Sequence, residues 1–187
     1  MENKELIIKE LWDNKTNVLF HVISSSEVSE VLNNGFTRTS HFPYLLVQSK
    51  FDDLVNYVNS GSSVALVAIP DDLYMNVYGM EKELFDKWKS QFDYVSDEDE
   101  FLSSSDVGNF CMWQSIGDYI ENFIPSFLVY AVLTLNDKGE IVYIKNNNYY
   151  DSLSKSQKLK LCKLLRKAYY EYSLEYSEYE RLLRRIR

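Results

Sequence analysis

Apolar positions along the chain change period several times, and each change marks an element. Residues 17–23, NVLFHVI, are almost continuously β-branched or aromatic and predict a strand, as does the apolar run 63–69, SVALVAI, stopped by Pro70-Asp71-Asp72. Between them, Val28, Val31 and Leu32 give a helix over 26–33, opened by a cap at Ser24–Ser26. Asn34-Gly35 closes it, because glycine enters the left-handed cap conformation without steric cost. Phe42–Val47 predicts a short strand, and Lys50–Asn59 a helix with Phe51, Leu54, Val55 and Val58 on one side. Leu6, Ile7, Leu11 and Trp12 give residues 2–12 a helical period, and residues 80–92 also read as helix. Residues 127–135 and 140–144 predict two strands joined as a hairpin through Asn136-Asp137-Lys138-Gly139. The stretch 96–106, SDEDEFLSSSD, has no apolar period and predicts a surface loop.

The longest pattern lies at the end. Ser154 followed by Gln157 is a capping-box signature. After it Leu161, Leu165, Ala168, Tyr172, Tyr176, Tyr179, Leu183 and Ile186 recur every three or four residues with no Gly or Pro. One amphipathic helix from about Lys155 into the 180s is expected, packing on the body at first and projecting beyond it later. The fold class is therefore α+β: small mixed or antiparallel sheets with helices in residues 1–153, then a long C-terminal amphipathic helix as a helical extension, 154–187.

With 45% hydrophobic and 26% charged residues in 187, the chain has the means to build a core and does not read as disordered. No apolar run approaches the roughly 18 residues of a spanning helix. The N-terminus carries acids where a signal peptide is basic. A soluble, cytoplasmic protein without membrane contact is expected. Cys111, Cys162, His21 and His41 have no metal-ligand spacing, so no metal is expected. The net charge of −8 is unevenly distributed. Residues 1–154 hold ten Lys/Arg against 24 Asp/Glu, whereas residues 155–187 hold ten against four. An acidic body repels phosphates, so a broad nucleic-acid surface is disfavoured except along the tail.

No phosphate loop, dinucleotide fingerprint, zinc-protease or nucleophile-elbow motif is present. What remains is an ordered series of short motifs. Phe20-His21-Val22-Ile23 lies in a strand, and Val31-Leu32-Asn33-Asn34-Gly35-Phe36 ends the following helix. Gln48-Ser49 precedes a helix carrying Leu54-Val55-Asn56-Tyr57, and Glu121 stands before Ile124-Pro125-Ser126-Phe127-Leu128. GEIVYIKNNNYYD follows near the end. Over residues 18–150 this order resembles the ADP-ribosyltransferase-like fold. Two positions depart from that family's pattern: Ile23 stands where a threonine is usual, and Tyr119 removes the paired acidic or amide residue that often precedes the glutamate.

The resemblance implies NAD as co-substrate, held in a cleft between two small sheets, and an ADP-ribosyltransferase or NAD glycohydrolase acting on a protein or nucleic-acid acceptor, or on water. It assigns Glu121 as the catalytic carboxylate. His21 is to hydrogen-bond the nicotinamide ribose or carboxamide, Tyr57 to stack on the nicotinamide, Ser49 to line the cofactor site and Arg38 to hold the pyrophosphate. The residues themselves leave other readings open: His21 and Tyr57 equally fit a core, Arg38 a surface and Glu121 a helix end. A second reading is a non-catalytic acidic interaction or inhibitor protein that uses its Tyr-rich C-terminal helix against a protein partner or a second copy.

Overall fold

The computed structural model describes residues 7, 9–11, 15–36, 44–45, 48–79, 81–89, 102–103, 124–171, 181–182 and 184–186. Strand β1 (Lys15–Ser24) pairs antiparallel with a second long strand, Ser62–Pro70, from Lys15 opposite Pro70 to Ser24 opposite Ser62. Short strand β2 is Tyr44–Leu45, so Ser62–Pro70 is β3; β4 is Leu102–Ser103, β5 Val129–Leu135 and β6 Ile141–Lys145. They form one sheet in the order β4-β2-β1-β3-β5-β6, every neighbouring pair antiparallel. The described strands thus make a single sheet, not the two small sheets that the resemblance implies.

β3 sits at the centre, and Ser63 to Pro70 are all buried. Burial without alternation means that both faces of this strand are covered. β5 shows the same continuous burial from Val129 to Thr134, while β6 is only partly covered. The predicted hairpin is present: Asn136 Oδ1 accepts from the amides of Lys138 and Glu140, both at 2.9 Å, and Gly139 takes φ 75°. The Asn side chain thereby supplies the turn's own hydrogen bonds.

On one face lies α1 (Val28–Asn34), entered through a single turn of 3₁₀ helix at Ser25–Glu27. The cap expected at Ser24 is a full capping box: its hydroxyl accepts from the Ser26 amide, and its own amide donates to the Glu27 carboxylate at 3.0 Å. On the opposite face lies Gln48–Tyr57, a ten-residue 3₁₀ run in place of the α-helix that the apolar period predicts over Lys50–Asn59. The tighter winding changes which side chains share a face, because 3₁₀ geometry aligns every third residue. Phe51, Leu54 and Tyr57 turn toward the sheet, with Phe51 stacked on Tyr143 at 6.2 Å and Tyr57, its outer edge exposed, tilted on Phe20 at 5.8 Å. Val55, which an α-helix would have turned inward, is exposed.

Two helices follow β3: α2 (Asp71–Tyr78) and α3 (Lys82–Lys89). In the sequence Pro70-Asp71-Asp72 reads only as a strand stop. Pro70 is in addition the N-cap of α2, and the two aspartates lie in its first turn, where the helix dipole favours negative charge. The loop expected at 96–106 falls mostly outside the described residues, but Leu102-Ser103 within it are the edge strand β4 against Tyr44-Leu45. Of the N-terminal helix expected over 2–12, Ile7 and Lys9–Leu11 are described and helical, with Ile7 and Leu11 fully buried. Glu10 reaches the β5–β6 edge, pairing with Lys145 at 3.0 Å and accepting the Tyr130 hydroxyl.

The C-terminal region departs most from expectation. α4 covers Lys155–Glu171, with the predicted Ser154–Gln157 capping box in place. Gln157 Nε2, however, donates to the carbonyl of Ile186 at 2.9 Å. In one straight helix those residues stand roughly 43 Å apart at 1.5 Å per residue. The chain beyond α4 therefore comes back to the start of that helix, and the projecting helix from Lys155 into the 180s is not formed. Burial supplies the reason. Ile186 is 4% exposed and shares the hydrophobic core with Leu161, Leu164 and Leu165, whereas a straight helix would carry it past the body into water. Tyr172, Tyr176, Tyr179 and Leu183 lie outside the described residues.

Candidate functional site

Gly35 is the junction on which the site is built. It ends α1 with φ 78° and ψ −160°, a backbone conformation essentially restricted to glycine. It is also pressed against another segment: a Cβ there would lie 2.0 Å from the Ile124 carbonyl oxygen and 2.6 Å from the Ser126 amide nitrogen. Immediately beyond, Phe36 and Ile124 exchange both backbone hydrogen bonds, at 2.8 and 3.2 Å. Helix end and Ile124-Pro125 segment are thus locked together across 88 residues of chain, with both Phe36 and Ile124 buried.

His21 completes the junction from β1. Its ring meets Phe36 edge-on, centroids 5.3 Å apart at 87°. Three motif-bearing segments, the strand with His21, the helix end Asn34-Gly35-Phe36 and Ile124-Pro125, thereby converge on one face of the sheet. Beside them runs a hydroxyl chain, with Ser63 within 3.0 Å of Ser25 and donating to Thr134 at 2.7 Å.

Tyr57 does not join them. Successive side chains on a strand point to opposite faces. Phe20, which carries Tyr57, and His21, which carries Phe36, are adjacent on β1. Tyr57 and His21 are separated by the sheet, so one nicotinamide cannot meet both, and the stacking role expected of Tyr57 is excluded in this arrangement. Arg38, His41, Cys111 and Glu121 lie outside the described residues; Ser49 is described in its backbone only, within the 3₁₀ run on Tyr57's face. Glu121 precedes Ile124 by three residues, a length of chain that reaches at most roughly 11 Å.

A cleft of about 260 Å³ flanks the junction, lined by Asn33, Ser126, Phe127, Asn148, Ser152, Leu153 and Gln157. The residue that shapes it is one that the motif reading passes over. Asn146, 8% exposed, donates to the carbonyls of Ser126 at 2.8 Å and Val129 at 2.9 Å and accepts from the Asn148 amide. Its signal in the sequence is the Asn146-Asn147-Asn148 run, since asparagine side chains commonly close turns on neighbouring backbone. Behind it, Tyr149 donates to the Ala68 carbonyl and Tyr150 to Asp72 at 3.1 Å. Burial first, then nearby carboxylates, hold both phenols well above their ordinary pKa. Cys162 is also raised, chiefly by burial, with Arg166 opposing.

Among the described residues no cluster of three His, Cys, Asp or Glu is disposed to hold a metal, and no helix is long and apolar enough to cross a membrane. No protein-family model, curated protein or solved structure matches the chain.

Proposed function

We propose that the chain is an NAD-dependent ADP-ribosyltransferase or NAD glycohydrolase whose reacting centre lies at the His21–Phe36–Ile124 junction. The observation that carries the reading is the reciprocal Phe36–Ile124 pairing beside the His21 ring. It joins three of the motifs in which the family resemblance resides, those of His21, Gly35-Phe36 and Ile124-Pro125, although they are far apart in sequence. The chemistry follows from the residue types. Breaking the bond between nicotinamide and ribose develops positive charge on the sugar, which a neighbouring carboxylate stabilises. Glu121, three residues before Ile124, supplies that carboxylate, and the His21 imidazole orients the ribose or carboxamide by hydrogen bonding. Tyr57 has no part in the site, and the group that faces the nicotinamide ring comes from another residue.

The alternative reading, a non-catalytic interaction or inhibitor protein using its Tyr-rich C-terminal region as contact surface, rests on residues outside the described ones, and the return of the tail to Gln157 removes only the projecting form of that helix. Thermal melting with NAD⁺ tests the proposal. A ligand at 100 times its Kd stabilises the native state by about 2.7 kcal/mol. For a domain of this size that raises Tm by roughly 5–11 °C, and His21→Ala diminishes the rise at equal ligand. A melting curve unmoved by saturating NAD⁺ overturns it.

A further inference from the structure

We propose that the cleft between the end of α1, the Ser126-Phe127 turn and the start of α4 binds a small neutral polyol of the monosaccharide class. The inference is independent of the NAD reading and adds a second ligand site beside that junction. It starts from Ser126, which lines the cleft and is 1% exposed. The Ser126 carbonyl accepts from Asn146, but among the described residues its hydroxyl has no hydrogen-bond partner. Burying a hydroxyl without a partner costs free energy, and native structures seldom hold one unless a ligand or an ordered water completes it. The rest of the lining is also only partly engaged. Asn148 donates its backbone amide to Asn146, and its exposed side-chain carboxamide is open. Asn33 donates to the Ser29 carbonyl at 2.9 Å, which leaves its own oxygen as an acceptor. Gln157 gives one N–H to the Ile186 carbonyl and keeps the other.

The chemistry of the lining selects the ligand. Its open groups are hydroxyls and carboxamides, and none of the described lining residues is ionisable. An anion calls for cationic donors and a metal cation for carboxylates, and the lining offers neither. A sugar hydroxyl both donates and accepts, and two neighbouring hydroxyls match a carboxamide, whose N–H and C=O stand side by side. Partly buried Leu153 and the edge of Phe127 meet the C–H face of such a ring. A nucleobase would need an open aromatic face to stack on, and Phe127 is 4% exposed. A peptide main chain pairs with a sheet edge or lies in a groove between helices, whereas the described walls here are helix ends and turns. The volume of about 260 Å³ falls just below the roughly 300–1,000 Å³ of pockets for drug-sized ligands, which suits one sugar ring and not a chain of them.

Saturation-transfer NMR on the full chain tests this, with D-glucose, D-ribose and myo-inositol as separate probes. At least one is expected to bind, with a Kd in the millimolar range that about a dozen heavy atoms and neutral contacts allow. Glucose 6-phosphate and ribose 5-phosphate bind more weakly than their parent sugars, because the site has no cation and the first 154 residues are strongly acidic. Ser126→Ala weakens binding about three- to tenfold, the loss of one neutral hydrogen bond. The same variant melts no lower than wild type, since the methyl group leaves no polar atom without a partner. Asn148→Ala, at the exposed rim, weakens binding in the same direction. Asn76→Ala, on α2 and outside the cleft, leaves the affinity within about twofold. No transfer to any of the three polyols overturns the proposal, as does binding that Ser126→Ala and Asn148→Ala both leave unchanged. Preference for adenine or for a sugar phosphate over the free sugar assigns the cleft to another ligand class and overturns it. A Ser126→Ala variant that melts well below wild type shows that the hydroxyl is completed within the fold and overturns it equally.

Discussion

Gly35→Ala is the substitution on which the architecture of the site bears hardest. Two separate costs act there. The native φ of 78° with ψ −160° is closed to a Cβ-bearing residue at about 1–3 kcal/mol. The added Cβ also lands 2.0 Å from the Ile124 carbonyl oxygen, and that oxygen belongs to backbone already paired with Phe36, so it cannot swing aside as a side chain tip would. Forcing the segments apart costs about another 1–3 kcal/mol on the scale of overpacked cores. Together the loss is about 4 kcal/mol, a large part of the roughly 5–15 kcal/mol that holds a domain folded. At about 2–4 °C per kcal/mol the variant melts roughly 8–16 °C lower by circular dichroism. Gly79→Ala and Gly139→Ala separate the two costs, because both glycines have positive φ, at 64° and 75°, and a Cβ added at either meets nothing within 4 Å. Each retains only the left-handed penalty of about 1–2 kcal/mol. If Gly35→Ala melts no lower than Gly79→Ala, the close approach of Ile124 to Gly35 is wrong, and the convergence argued from it fails.

Three further outcomes follow from buried polar groups. Asn146→Asp keeps the acceptor for the Asn148 amide but removes the donor to Ser126 and Val129, so it should cost about 2–4 kcal/mol, as much as Asn146→Ala; a wild-type melt for the aspartate variant refutes the pin. Tyr149 and Tyr150 ionise in the unfolded chain near pH 10 but above that when folded, so the unfolded state binds fewer protons there. Stability is intact below pH 10 and falls as pH rises past it, and Tyr149→Phe with Tyr150→Phe should flatten the fall in melts taken between pH 8 and 11. The raised Cys162 thiol should alkylate with iodoacetamide more slowly at pH 8 than free cysteine, read by mass spectrometry of its peptide; equal rates contradict the burial assigned to it.

Elements with a strong local signal are legible in the sequence. The strands around 17–23 and 63–69, the 127–144 hairpin, the cap at Ser24 and the Ser154–Gln157 capping box appear within a few residues of expectation, because β-branching, turn glycines and cap hydroxyls act on their immediate neighbours. What fails depends on distant surfaces. The apolar stripe of the tail has helical period, yet nothing local records that Ile186 finds its burial beside Gln157. The Lys50–Asn59 stripe misleads in a different way, since 3.6 and 3.0 residues per turn select the same Phe51 and Leu54 and diverge from Val55 onward, where the tighter winding turns Tyr57 inward. That divergence, with the alternation of Phe20 and His21, removes Tyr57 from the site. Gly35 is recognisable as a helix end, but its second role, as the floor on which Ile124 rests, is a tertiary contact with no local signature.

Whether Glu121 cleaves the nicotinamide bond of NAD⁺ is read most simply from release of nicotinamide, which needs no knowledge of the acceptor. The wild-type chain is expected to release it slowly but measurably. Glu121→Gln, which keeps size but loses charge, should bind NAD⁺ within a few-fold of wild type and turn over about 10²–10³ more slowly. A wild-type chain that binds no NAD⁺ and releases no nicotinamide, or a glutamine variant as fast as an active wild type, contradicts that assignment.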